Sequence, residues 1–194
     1  MSRRALDDHQ LIVVIDESSP GDGVGGIAYV VAAAALMSPA GLSDQLHDIF
    51  ETERSRPFHW TKEGPEARRR IIELMIREGV VAEVLCAHVG RRGQRLARQR
   101  MIAELSIWAA TEGASHVVIE SGDAATDGRD KATLLDTHRD RGGVPFEYDW
   151  RPKSEPLLWI ADAVAGAVSE HVAGKDSSWF ELLDEGKVVH LRYS

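Results

Sequence analysis

The chain is poor in cysteine, in long apolar runs and in positive charge, and each shortage excludes something. Its only cysteine, Cys86, can form no internal disulfide. A lone thiol inside an apolar run suits a reducing cytoplasm, where it serves as packing. No apolar run approaches the roughly 20 residues of a membrane-spanning helix. The longest, 27–37, is rich in Ala and Val and reads as a buried strand. No basic stretch followed by an apolar one opens the chain, so neither a secretory leader nor a membrane partner is expected, and the compartment is read as cytoplasmic. Lys and Arg number 23 against 31 Asp and Glu, a formal net charge of −8. That argues against a generic polyanion binder but leaves room for a local basic face, which is what counts near a phosphate backbone.

Several chemistries are missing as well. The glycine-rich stretch 21–26 has no Lys-Ser or Lys-Thr partner and leads into a strand, so it reads as a hairpin rather than a phosphate-cradling loop. Ser18, Ser19 and Ser121 have no local histidine partner, so no hydrolytic triad can be argued. Cys86 and His88 alternate on one strand face without the second pair a zinc site needs. No repeat or low-complexity linker interrupts the 194 residues. One domain over 1–194 is therefore expected, with 175–194 as a C-terminal extension; a chain of this size buries roughly 70% of its unfolded surface.

What is present is organised around Leu11-Ile-Val-Val-Ile-Asp-Glu-Ser-Ser19. A short unbroken apolar run bounded by turn signals reads as a strand buried on both faces. Its Asp16 emerges at the carboxyl end, where open α/β sheets place their sites, although an Asp can also simply begin a turn. The pattern recurs at Val117-Val-Ile-Glu120. Between the two, apolar periodicity predicts strands at 27–37 and 80–89, a helix at 42–53, a helix at 66–78 started by Pro65, and a long helix at 94–112 with Leu96, Met101, Leu105 and Trp108 inward. After Glu120 follow a charged surface helix at 127–141, a strand at 144–150, and an apolar helix at 157–173 capped by Ser154 and carrying Asp162. A last strand is read within 187–193.

If the strands ending in Asp16 and Glu120 are parallel neighbours, both carboxylates reach one sheet edge, and the last helix can bring Asp162 to them. Ionised carboxylates about 4–6 Å apart repel by roughly 1–4 kcal/mol per contact, so the cluster must trap a proton or hold a cation. All-oxygen ligation suits Mg²⁺ or Mn²⁺, and ions so held assist in-line displacement at phosphorus. The order of elements, with acids ending the first and fourth strands and a third on the final helix, resembles the ribonuclease H-like (retroviral-integrase-like) superfamily, in its resolvase-type arrangement. Val14-Ile-Asp-Glu-Ser18 and Ile160-Ala-Asp-Ala-Val-Ala-Gly166 are similar to the first and last motifs of a bacterial family of unknown function with that fold. Ser19 and Trp159 depart from its pattern, which usually has glycine and glutamine there.

The resemblance implies an α/β mixed five-stranded sheet, its first three strands antiparallel and the rest parallel, flanked by helices, with a helical insertion at about 38–79. It also implies a nuclease in which Asp16, Glu120 and Asp162 are catalytic and hold Mg²⁺ or Mn²⁺, acting on RNA or DNA. Asp123 is a further candidate ligand or a local cap; Glu17 is another, although pleat alternation turns it to the opposite face. Glu104 lies on the helix where ribonuclease H proper keeps a glutamate, yet reads better as a solvated position. For nucleic acid, Arg91, Arg95 and Arg98 share a helix face, and Arg151 and Lys153 precede the Asp162 helix; arginine offers phosphate a bidentate fork, although such charges also serve as a solvated face. His59 and Trp60 offer a proton donor and a stacking ring, or an aromatic that pins the loop to the core. The same fold without chemistry, a binding or assembly module, is the alternative. Half of an actin-like sugar kinase shares related features but requires a second such domain. Ala/Val-rich and Trp-rich surfaces would permit a homodimer without requiring one.

Overall fold

The computed structural model describes residues 10–19, 27–50, 56–90 and 93–194. The glycine-rich stretch 21–26 and Arg91 lie outside the described residues. Six strands form one mixed sheet: β1 (Ile12–Ser18), β2 (Ile27–Leu36), β3 (Val81–Val89), β4 (His116–Glu120), β5 (Glu147–Arg151) and β6 (Val189–Tyr193). Their order across the sheet is β5-β4-β1-β2-β3-β6. β1, β2 and β3 pair antiparallel, while β4 runs parallel to β1, β5 to β4 and β6 to β3. The expected five strands are thus corrected to six, because the C-terminal extension supplies β6 and docks it on β3.

The period-2 alternation of the strands sorts their side chains onto two cores. Ile12 and Val14 face one layer, made by α1 (Pro39–Phe50), α2 (Pro65–Arg77), α5 (Leu158–Val172) and α6 (Ser178–Glu185). Val13 and Ile15 face the other, under α3 (Gln94–Glu112) and α4 (Ala124–His138). α5 is buried without interruption from Leu158 to Ser169, as a helix apolar on every side must be. It lies against β1 and β2, where the small side chains Ala32 and Ala34 line the same core. α3 stops at Gly113, whose φ of 80° is the left-handed conformation that glycine adopts freely. Among the described residues no helix is long and apolar enough to cross a membrane.

Four local expectations are corrected. Leu96 faces solvent, and Ala97 and Met101 turn inward instead. Ser154 does not cap α5; the first N–H groups of that helix bond the carbonyls of Glu155 and Pro156. The helix after Glu120 begins at Ala124, not at 127, because Asp123 caps it. The surfaces on which a homodimer was argued are interior: Val30 to Ala35 on β2 and the rings of Trp60, Trp159 and Trp179 are buried.

Candidate active site

Strand register assembles the site. β1 and β4 pair in parallel with Ile15 opposite Ile119, so Asp16 and Glu120 come next, side by side at the carboxyl edge. β4 and β5 pair with Glu120 opposite Arg151, which brings the connector after β5, and with it Lys153, to the same edge. Asp16 continues the face of Ile12 and Val14, the one that packs on α5. There it meets Asp162, which is 5% exposed.

The Lys153 ammonium sits among all three acids. Its Nζ stands 3.3 Å from Asp16 Oδ2, 3.2 Å from Glu120 Oε2 and 2.9 Å from Asp162 Oδ1. Two of the three carboxylates also accept a backbone N–H. Asp16 Oδ1 accepts the Glu17 N–H at 2.7 Å, and Asp162 Oδ2 accepts the Trp60 N–H at 2.7 Å. His59 Nδ1 lies 3.4 Å from Asp162 Oδ1. Burial is the main reason the Asp16 pKa is raised well above the usual value, helped by the neighbouring Glu120 carboxyl group and resisted by Lys153. Burial pulls Glu120 the same way, but its interactions with Asp16 and the nearby ammonium outweigh it, and its pKa falls. Lys153 loses by burial and gains more from Asp16 and Asp162, so its pKa rises. The crowded acids thus relieve their repulsion by surrounding a cation.

A groove of about 390 Å³ opens over Asp16, Glu120 and Lys153, with Glu17, Arg98 and Asp123 also on its walls. The other candidates sort by what they touch. Glu17 is turned to the opposite face from Asp16 and is held by Tyr29 and Arg98, not by the acid cluster. Asp123 accepts the Thr126 N–H at 2.7 Å as the cap of α4. Arg98 forks onto the buried Asp130 and also reaches Glu17, so its guanidinium is spent on carboxylates. Arg151 is likewise engaged by Asp149 and Glu155. Arg95 is exposed on α3. Glu104 is half exposed, 3.8 Å from Arg192 and away from the site. Trp60 is a correction: it is 1% exposed, with the Arg68 guanidinium over its ring at 4.4 Å, so no base can stack on it.

Gly166 explains that burial. It lies one helical turn past Asp162, and an alanine Cβ there would fall 2.3 Å from Trp60 Cγ. The bare helix surface admits the indole, and the indole carries its backbone N–H to Asp162. The Trp159 indole donates to the Lys153 carbonyl at 2.9 Å and fixes the connector that bears the lysine. Two features escaped sequence reasoning: the central position of Lys153, and the pinning of Trp60 by Gly166. The signal for the first was a lysine nine residues ahead of Asp162 on a connector.

No protein-family model and no curated protein matches the chain, so the likeness of its first and last motifs to the narrower bacterial family rests on those residues alone. Solved structures do match. Over 91% of its length the chain superposes on 78% of a chain from the PCNA–RNase HII complex of Archaeoglobus fulgidus, with a TM-score of 0.54 and 16% identity. The fold is ribonuclease H-like. Looser matches are the ribonuclease H2 of Pyrococcus horikoshii OT3 (TM-score 0.45, 14% identity, 92% of this chain and 78% of that one) and Bst-RNase HIII in complex with Mn²⁺ (TM-score 0.45, 14% identity, 92% and 63%). In this ribonuclease H-like sheet the three acids come from the end of β1, the end of β4 and the middle of α5.

Proposed function

We propose that the protein is a divalent-metal-dependent nuclease that hydrolyses phosphodiester bonds in RNA or DNA. One observation carries the reading: carboxylates from β1, β4 and α5 converge on a single cation position within a buried, open-mouthed site. The donor set fits a hard divalent ion. It is all oxygen, it retains negative charge around the ammonium, and that ammonium is itself a cation standing among the three acids. Among the described residues no three His, Cys, Asp or Glu side chains stand ready to hold a metal ion. The spacing says why: the acids sit at hydrogen-bond distance from a nitrogen, whereas Mg²⁺ takes oxygens at about 2.0–2.1 Å.

Asp16, Glu120 and Asp162 would hold the ion, which would supply positive charge to the attacking and leaving oxygens of an in-line displacement. The protein's own groups do the rest. Glu17 N–H and Trp60 N–H fix the outer oxygens of Asp16 and Asp162, so neither carboxylate need reorganise as charge develops. His59, with Nδ1 3.4 Å from Asp162 Oδ1, is the candidate proton donor to a leaving oxygen. Arg95 on the exposed face of α3 is the remaining described candidate for a phosphate contact. The test is cleavage of mixed RNA and DNA in Mn²⁺. Wild type should cut; Asp16→Asn and Glu120→Gln should each reduce cutting by about a hundredfold or more, as loss of a group that stabilises transition-state charge does. No metal-dependent cutting by wild type would refute the proposal.

The second reading, a binding or assembly module without chemistry, is favoured by one feature, the internal neutralisation of the acids by Lys153. It predicts no Mg²⁺ or Mn²⁺ binding and no metal-induced rise in melting temperature.

A further inference from the structure

We propose that Lys153 is a tethered counter-cation which a divalent ion must displace, so that metal uptake here is an exchange of one cation for another rather than the filling of an empty cage. The inference rests on the metal-dependent reading above and concerns how that site is loaded.

Three observations support it. First, one ammonium contacts an oxygen of all three acids at 2.9–3.3 Å, the place where a shared ion would have to sit. Charge-assisted contacts of this length are favourable, and a carboxylate cannot give the same oxygen fully to both cations. Second, the lysine is held by its backbone and not by its stem. The Lys153 carbonyl accepts the buried Trp159 indole N–H, while the side chain is 27% exposed and lines the open groove. Four rotatable carbons can therefore carry the ammonium towards solvent without moving β5 or α5. Third, the charge balance favours exchange. Three carboxyl groups surround a single ammonium at 2.9–3.3 Å, so the cluster still attracts a second positive charge.

Displacement has a cost that the metal-free protein does not show, and wild-type affinity for metal is lowered by it. Losing even one charge-assisted contact corresponds to about tenfold in binding. Titration calorimetry with MnCl₂ on the full chain tests this directly. Lys153→Met, which keeps the stem and removes the charge, should bind Mn²⁺ about tenfold or more tightly than wild type and should melt lower in metal-free buffer. Equal or weaker Mn²⁺ binding by the variant overturns the exchange while leaving the metal reading in place. Binding by the variant alone upholds the exchange and overturns catalysis by wild type. Silence from both overturns both.

A measurement on wild type covers the case in which Lys153→Met does not fold. The ¹⁵Nζ resonance of Lys153 should leave its hydrogen-bonded position as Mg²⁺ is added, in step with the Glu17 amide that is bonded to Asp16. A Glu17 amide that shifts while the Lys153 resonance stays put would sink the exchange.

Discussion

Replacing Gly166 by alanine puts a methyl group where the Trp60 ring lies. The added Cβ would stand 2.3 Å from Cγ, 2.4 Å from Cδ1 and 2.7 Å from Cβ of Trp60. Ordinary carbon contacts begin at about 3.5 Å, so the ring must retreat by about 1.2 Å. These are atoms next to the backbone, not the tip of a flexible chain, and the peptide must move with them. That peptide N–H is bonded to Asp162 at 2.7 Å. Overpacking costs about 1–3 kcal/mol, and a lost hydrogen bond to a buried carboxylate about 1.5–3 kcal/mol more. The better helix propensity of alanine returns up to about 1 kcal/mol. A net loss of about 1.5–5 kcal/mol is expected, which for a chain of this size lowers the melting temperature by about 3–20 °C. Urea denaturation of Gly166→Ala reads it. In a Trp60→Ala background the same substitution should cost at least about 1 kcal/mol less, because contacting residues couple. A loss below about 0.5 kcal/mol in the single variant, or strict additivity in the double, would refute the reasoning.

Two further outcomes follow from the electrostatics. Arg98→Ala strips the guanidinium from Asp130, which is 1% exposed, so stability should fall by about 3 kcal/mol, with most of it restored when Asp130→Ala is added. A loss in nucleic-acid binding with unchanged stability would instead return Arg98 to a substrate-contacting role. Asp16 has a raised pKa in the fold. The stability tied to its proton is therefore fully present below the unfolded value of about 3.9 and drains away as pH rises through the folded value. Asp16→Asn, which cannot lose that proton, should flatten the curve of metal-free stability against pH over this window. A parallel decline in variant and wild type would show that another group titrates.

The element order and the three acids were legible in the sequence because each signal is local. A β-branched run ending in a carboxylate marks both β1 and β4, and an apolar helix with one acid marks α5. α3 runs from Gln94 to Glu112, the bounds its periodicity and Gly113 predict. The misjudged features depend on partners far along the chain. Trp60 reads either as a stacking platform or as a core anchor until α5 offers it the gap at Gly166. Arg98 reads as a phosphate fork until Asp130 and Glu17 close on it.

Hydrophobic period and turn residues act within a few positions, so local pattern specifies which strands and helices form and which of them end in acid. Where the charges settle depends on contacts between distant segments. Strand register and the packing of α5 bring Asp16, Glu120 and Asp162 together from positions as much as 146 residues apart, and the connector after β5 delivers Lys153 into their midst. Coulombic energy depends on separation in space and on burial, neither of which is written at any single position in the chain.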